Sequence, residues 1–298
     1  MTLARARHGD IELAYETVGP PTGEPMLLIL GVAAQLVAWP DDFCAMLVEH
    51  GFRPARYDGR DSGLSTHLHD RGRPSRPALL FRRPSAAAYT LADLADDAVA
   101  VLDALGWPSA HLLGVSQGGM VAQAVATRHP DRVRSLTSIS STPSARIGGP
   151  SAGTLIRLLR LASHGPVSSA DQMAQHLVDV DRLLCGQYPQ DEEWLREVGR
   201  RTVERGHDQA GVERQSAAFQ CSGDRRAELR GLRVPTLVVH GAEDRLVRPV
   251  GGRATADAVP GARLVVHPGM GHGLPRQLWA EVVDEIVALT RTTSRTAE

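Results

Sequence analysis

The sequence predicts an α/β fold in which a mostly parallel sheet carries an inserted helical cap. Short apolar strands alternate with helical segments up to residue 143, a pattern typical of parallel strands joined by right-handed helical crossovers. From residue 144 to 228 the periodicity is helical throughout, and strand patterning resumes at Val234. A length of 298 residues fits one domain with an insertion better than two independent domains.

The individual elements follow from the spacing of apolar side chains. Residues 5–18 alternate apolar and polar side chains around a Gly9-Asp10 turn, which predicts an antiparallel hairpin at a sheet edge. Short apolar runs then predict the strands, and longer amphipathic segments predict the helices between them. The predicted strands are 26–30, 53–57, 110–115 and 135–140, and the predicted helices include 40–49, 91–105 and 120–129.

The insertion sets the domain boundaries. Its helices are predicted at 154–162, 170–184 and 192–205, and we expect them to cover the carboxyl ends of the strands, where an open α/β sheet places its site. The tail is polar and lacks periodicity, so we expect it to be disordered. The predicted divisions are a first core part at 1–143, a cap at 144–228, a second core part at 229–290 and a tail at 291–298.

A nucleophile is predicted at Ser116, within Gly-Val-Ser-Gln-Gly at 114–118. This G-x-S-x-G pentapeptide directly follows a predicted strand and precedes a predicted helix, which is the context that a nucleophile elbow requires. Glycines on both sides give the chain room to turn sharply and expose the hydroxyl.

A base and an acid are predicted in the loops after two later strands. Asp244 follows the buried-strand pattern at 235–241, and His272 follows the pattern at 262–267. The order Ser, Asp, His differs from the orders in chymotrypsin-like and subtilisin-like enzymes. A helix-capping role near Pro249 is the alternative for Asp244.

Other titratable residues in these segments are interpreted as structural. His240 and His267 lie within or at the end of strand patterns and are expected to be packed histidines. Asp58 and Asp61 are expected to stabilise turns. The arginines of the 67–88 segment, Arg71, Arg73, Arg76, Arg82 and Arg83, favour a solvated surface loop over a basic lid for an anionic or glycosylated substrate.

Three segments carry a resemblance to a known family. The elbow, "GAEDRLVRP" (241–249) and "PGMGHGLP" (268–275) resemble the α/β-hydrolase superfamily, over nearly the whole chain outside 144–228. More narrowly, "AWPDDF" (38–43), "RYDGRDSGLST" (56–66) and "GMGHGLP" (269–275) are similar to aclacinomycin methylesterase and related actinomycete esterases. The resemblance implies the α/β-hydrolase fold and a cofactor-independent serine esterase acting on a small-molecule ester, with a methyl ester of a bulky polyketide-type acid as the suggested substrate.

Acyl transfer also requires donors for the oxyanion and a pocket for the substrate. The expected donors are the backbone N–H of Gln117, after the nucleophile, and that of Val32, in the loop after the first parallel strand. This loop reads Gly-Val-Ala-Ala where many hydrolases have His-Gly. Met173, Trp194 and Phe219 in the insertion are expected to line the pocket, while most apolar residues there pack the cap.

Composition excludes several function classes. The chain has 33 arginines and no lysine. The absence of lysine excludes Schiff-base, Ser-Lys and P-loop chemistry, because each of them requires a lysine side chain. The net charge of −1 provides no field for nucleic acid or an anionic membrane. The 3 cysteines form no C-x-x-C pair, so we expect reduced thiols and no metal. The amino-terminal segment reaches charge before any apolar h-region, which favours the cytoplasm.

Rival functions remain open on the same residues. Carbon–carbon bond hydrolases and cofactor-free perhydrolases use the same three residue types, whereas a dehalogenase or epoxide hydrolase needs a carboxylate at position 116. A non-hydrolytic ligand receptor or cyclase would use the pocket for binding and shape only. Formation of an acyl-enzyme distinguishes this last class from a hydrolase.

Overall fold

The computed structural model describes residues 3–75, 86–162, 167 and 169–294. Within them, one eight-stranded sheet has the order β1-β2-β4-β3-β5-β6-β7-β8. The β1–β2 and β2–β4 pairs are antiparallel and the other pairs are parallel. The strands are β1 Ala4–His8, β2 Ile11–Thr17, β3 Glu24–Ile29, β4 Phe52–Tyr57, β5 Ala110–Val115, β6 Val133–Ile139, β7 Thr236–Gly241 and β8 Arg263–His267.

The α-helices of the described residues fall into two groups. The first consists of α1 Asp41–Glu49, α2 Leu91–Ala104, α3 Gln117–Arg128 and α9 Val250–Ala258, which cross over between strands, and of α10 Trp279–Ser294, which follows β8. Those inserted between β6 and β7 are α4 Ala152–Ala162, α5 Ala170–Leu184, α6 Glu192–Glu204, α7 Gln209–Gln220 and α8 Arg226–Leu229. We call this second group the insertion.

The parallel strands are buried on both faces. Leu27 and Leu112 belong to the hydrophobic cluster on one side of the sheet, and their neighbours Leu28 and Leu113 belong to the cluster on the other side. Side chains alternate between the two faces of a strand, so a strand covered on both faces reads as a continuous apolar run. Burial on both faces explains the continuous apolar runs at β3 and β5. The predicted α/β fold with its mostly parallel sheet is confirmed.

The carboxyl-terminal prediction is wrong at residues 291–294. We expected a disordered tail from Arg291, but α10 continues to Ser294, and residues 295–298 lie outside the described part of the chain. The apolar face of α10, including Val282, Val283 and Ile286, is buried against the sheet, and extending an anchored helix costs little. Among the described residues, none of the helices combines the length and apolar character that a bilayer crossing requires.

Candidate active site

Ser116 lies at the sharp turn between β5 and α3. Its φ of 59° and ψ of −122° are rarely adopted by a residue with a side chain, and such strain is typical of functional positions. The turn also brings α3 against β3, because a Cβ at Gly118 would lie 2.0 Å from the carbonyl oxygen of Ile29. Glycine is required there, which accounts for the second glycine of the G-x-S-x-G motif.

Asp244 lies in the loop after β7 with its carboxylate fully buried. Oδ1 accepts hydrogen bonds from the backbone N–H groups of Leu246 and Val247, each at 2.9 Å. α9 begins later, at Val250, and Pro249 precedes it, so Asp244 stabilises its own loop and does not cap that helix. Oδ2 faces the imidazole of His272.

His272 connects the other two residues. Its Nδ1 lies 2.9 Å from Oδ2 of Asp244, and its Nε2 lies 3.0 Å from Oγ of Ser116. The structure therefore brings the three predicted residues into one hydrogen-bonded chain across 156 residues of sequence.

The electrostatics of this chain keep the acid ionised. Burial opposes the charged form of Asp244, but the adjacent His272 and His240 outweigh it and hold the pKa of the carboxyl well below its usual range. A permanently ionised carboxylate favours the tautomer in which Nδ1 of His272 carries the proton. Nε2 is then the acceptor that faces Ser116.

The histidine loop is fastened to the insertion. The N–H of His272 donates to the carbonyl of Leu184 at 2.9 Å, and the N–H of Gly271 donates to that of Cys185 at 3.1 Å. A Cβ at Gly271 would lie 1.9 Å from the Leu184 oxygen, so this approach requires glycine. The end of α5 therefore positions the imidazole of His272. The geometry of the site depends on the insertion as well as on the sheet.

The two segments that carry the predicted oxyanion donors border Ser116. Gln117 is the first residue of α3, and the first N–H groups of a helix have no acceptor within it. The loop after β3 also reaches the nucleophile, because a Cβ at Gly31 would lie 3.3 Å from Oγ of Ser116. The N–H of Ala33 is bonded to Oε1 of Gln215 at 2.9 Å, so Val32 remains the candidate donor of this loop.

Two cavities adjoin one another between the sheet and the insertion, with volumes of about 660 and about 300 Å³. Ala34, Ala38, Leu177 and Val180 line both of them. The smaller cavity contains His272 and carries an apolar wall. The large side chains that line it include Trp39, Phe43, Leu184, Trp194, Leu195 and Trp279.

The structure places the three predicted pocket residues at three different locations. Met173 lines the larger cavity and Trp194 the smaller one. Phe219 lines neither and packs against the hydrophobic cluster that contains Tyr89 and Leu91. The structure therefore places Phe219 against the core and away from these two cavities.

The arginine-rich segment at 67–88 is described only in part. Arg73 lines the larger cavity and donates to Glu213 at 3.2 Å. Arg76, Arg82 and Arg83 lie outside the described residues.

The residues interpreted as structural have partners that the sequence did not indicate. Asp58 accepts from the N–H of Leu36 at 2.7 Å and from Arg205 of the insertion at 2.6 Å. His240 is fully buried, with Nε2 2.7 Å from the Val247 oxygen and 3.4 Å from Oδ2 of Asp244. The four-residue spacing of His240 and Asp244 was the available signal for this contact.

One group of side chains has metal-ligating atoms in proximity. Ligand atoms of His67, His69 and Asp208 all lie within 4.8 Å of one another. The two rings stack with planes only 8° apart, so their in-plane lone pairs do not converge on one ion. Oδ2 of Asp208 already accepts from Arg214 at 2.9 Å. We assign no metal to this group.

The chain belongs to the α/β-hydrolase fold family, which residues 24–275 match. It is 30% identical to the rhodomycin D methylesterase DauP of Streptomyces sp. (strain C5), over 95% of this chain and 96% of that protein. It is 28% identical to a 2-hydroxymuconate semialdehyde hydrolase of Pseudomonas putida, over 83% of this chain and 86% of that protein.

A solved structure supports the same fold. The esterase RhEst1 from Rhodococcus sp. ECU1013 matches with a TM-score of 0.74 at 20% identity, covering 98% of this chain and 100% of that one. The family and the methylesterase relatives identify this protein as a carboxylic ester hydrolase.

Proposed function

We propose that the protein hydrolyses a carboxylic ester through a Ser116–His272–Asp244 triad and an acyl-enzyme intermediate. The observation that carries the proposal is the pair of hydrogen bonds at 3.0 and 2.9 Å that runs from Oγ of Ser116 through the imidazole to the Asp244 carboxylate. A serine hydroxyl is a weak nucleophile unless a base removes its proton during attack, and this arrangement supplies the base and its orienting acid.

The first half of the reaction forms the acyl-enzyme. Nε2 of His272 takes the hydroxyl proton as Oγ of Ser116 attacks the ester carbonyl, and Asp244 stabilises the resulting imidazolium. The negative charge on the carbonyl oxygen is held by the N–H groups of Gln117 and Val32. His272 then donates its proton to the departing alcohol. In the second half, His272 activates a water molecule that releases the acid from Ser116.

The substrate that we propose is a methyl ester of a bulky, polyketide-type acid, bound under the insertion acting as a cap. Two observations support this substrate. The cavities of about 660 and about 300 Å³ between sheet and insertion are of the size that ligand pockets have. The relative DauP is named for a methylesterase activity on rhodomycin D.

A second candidate is the hydrolysis of a carbon–carbon bond, favoured by the Pseudomonas putida relative named as a 2-hydroxymuconate semialdehyde hydrolase. The same three residues serve both reactions, so the products decide. Release of an alcohol and an acid supports ester hydrolysis, whereas release of an acid and a second fragment that carries a new C–H bond in place of the broken C–C bond supports the alternative.

The test is covalent labelling. We expect a fluorophosphonate probe to modify the wild-type protein on the peptide that contains Ser116, with loss of esterase activity in proportion. The Ser116→Ala variant should take up no probe, and the control Ser141→Ala, a buried neighbour, should be labelled as the wild type is. Labelling at another serine, or none in a folded protein, would contradict the mechanism and favour a ligand receptor or cyclase.

A further inference from the structure

Gln215, a residue of α7 in the insertion, contacts both segments that border Ser116. Its Oε1 accepts from the N–H of Ala33 at 2.9 Å. Its main-chain carbonyl accepts from Nε2 of Gln117 at 2.6 Å. Gln215 and Gln117 are 5% and 4% exposed, so the bond between them is shielded from bulk water, whereas the bond to Ala33 is partly buried. Gln215 therefore contacts the loop after β3 through its side chain and the Gln117 side chain at the start of α3 through its main chain.

The loop after β3 needs such support because its backbone is strained. The N–H of Ala34 lies 3.4 Å from the carbonyl oxygen of Gly31, which closes a four-residue turn, and Ala33 at its third position has a φ of 66°. A positive φ at this position without one at Val32 is the type II arrangement, which favours glycine at the third position, whereas alanine there prefers the arrangement with the central peptide reversed. The acceptor at Ala33 N–H selects the observed orientation.

A third bond fixes the amide of Gln215 itself. Nε2 donates to the carbonyl oxygen of Arg60 at 3.0 Å. The guanidinium of Arg60 is held in turn by Asp97, at 2.6 and 2.7 Å. Because one end of the amide faces an acceptor and the other a donor, a single orientation satisfies both. The core thus determines where Gln215 directs its oxygen.

We propose that Gln215 is a positioning residue for the oxyanion hole. It holds the turn that presents the Val32 N–H, and it restrains Gln117, whose N–H is the second donor. This inference rests on the proposed triad mechanism and extends it, since it makes the insertion part of the catalytic framework as well as a substrate pocket. The oxyanion forms only in the transition state, so displacement of its donors lowers kcat and leaves ground-state binding nearly unchanged.

The experiment compares the wild type with Gln215→Met, which is similar in length, loses the side-chain bonds to Ala33 and Arg60, and keeps the main-chain acceptor of Gln117. We expect kcat to fall about 10- to 100-fold with KM changed less than about 3-fold, on p-nitrophenyl acetate and on larger esters alike. Affinity for a trifluoromethyl ketone, whose adduct carries the oxyanion, should fall by a similar factor. The control Gln220→Met changes the last residue of the same helix and should behave as the wild type does.

The result that overturns the proposal is a folded Gln215→Met enzyme with wild-type kcat, or one in which only KM rises. If that variant fails to fold, Gln215→Asn decides, since it keeps a polar amide but is one methylene too short to reach the Ala33 N–H and the Arg60 carbonyl together. We expect its kcat to be reduced, and a wild-type kcat would refute the role. The Ser116→Ala variant in the same assay separates the triad mechanism from the positioning role of Gln215. Turnover by Ser116→Ala refutes the triad. An inactive Ser116→Ala variant beside fully active Gln215 variants refutes only the positioning role.

Discussion

Arg214 of α7 forms a two-point salt bridge with Asp61, in the loop after β4. The Nε–Oδ2 and Nη2–Oδ1 distances are 2.8 and 2.6 Å, and the two side chains are 1% and 0% exposed. Asp61 also accepts from the N–H of Leu68 at 2.8 Å. Together with the Arg205–Asp58 pair, this bridge fastens the insertion to the core through buried charges. Buried charges of this kind are tolerated when they are paired and hydrogen-bonded at several points.

Replacement of Asp61 by asparagine should therefore destabilise the fold. The change leaves Arg214 buried with Asp208 as its remaining carboxylate partner, and breaking one side of a buried ion pair costs about 3 kcal/mol. Urea unfolding followed by circular dichroism measures the loss. The control Asp224→Asn breaks an exposed pair with Arg226 in the same insertion and should change stability little. Equal losses in the two variants would contradict the anchoring role.

The same pair predicts how stability depends on pH. Burial opposes the ionised Asp61, but Arg214 and the Leu68 N–H outweigh it and lower the pKa of the carboxyl. A carboxyl with a lowered folded-state pKa contributes its full stability above the unfolded-state value of about 3.9, and the contribution is lost as pH falls through the folded value.

We therefore expect the wild type to lose stability below about pH 4 more steeply than Asp61→Asn does. The measurement is the free energy of unfolding of both proteins in urea from neutral to acidic pH. Parallel curves would show that Asp61 is not the group that titrates. Asp244 shifts in the same direction and is present in both proteins, so its contribution cancels in the comparison.

Asp244→Asn should reduce kcat by about 10⁴, because an amide no longer favours the imidazole tautomer that accepts the Ser116 proton. Steady-state ester hydrolysis by the folded variant measures the effect. Asp284→Asn is the control, since Asp284 is an exposed residue on α10. Retention of more than about a tenth of the wild-type rate by Asp244→Asn would refute its role.

Trp194→Ala should lower the preference for large substrates. Trp194 lines the cavity that contains His272, so its removal takes contact area from a bulky acyl group and none from an acetyl group. We expect kcat/KM to fall about 10-fold for the methyl ester of a fused aromatic acid and little for p-nitrophenyl acetate. The control is Leu155→Ala, which shortens a side chain of α4 that is 48% exposed. A wild-type profile that is flat across acyl size would exclude a specificity pocket.

Local patterns predicted much of this molecule because they report local physics. The runs at β3 and β5 reflect strands covered on both faces, and the glycines around Ser116 reflect a turn with no room for a side chain. Loops after parallel strands meet at one edge of the sheet, so placing Asp244 and His272 after β7 and β8 was sufficient to expect them near Ser116.

What the tertiary structure decided is which partner each buried face meets. Periodicity indicates that a helix has a buried face, but it carries no information about the residue on the other side. Gln215 meets Ala33 across 182 residues and Arg214 meets Asp61 across 153, contacts that leave no periodic signal. Phe219 lies on α7 with Gln215 and Arg214 and packs against the core. Its apolar character was visible in the sequence, but the surface that it contacts depended on the packing of α7 against the sheet.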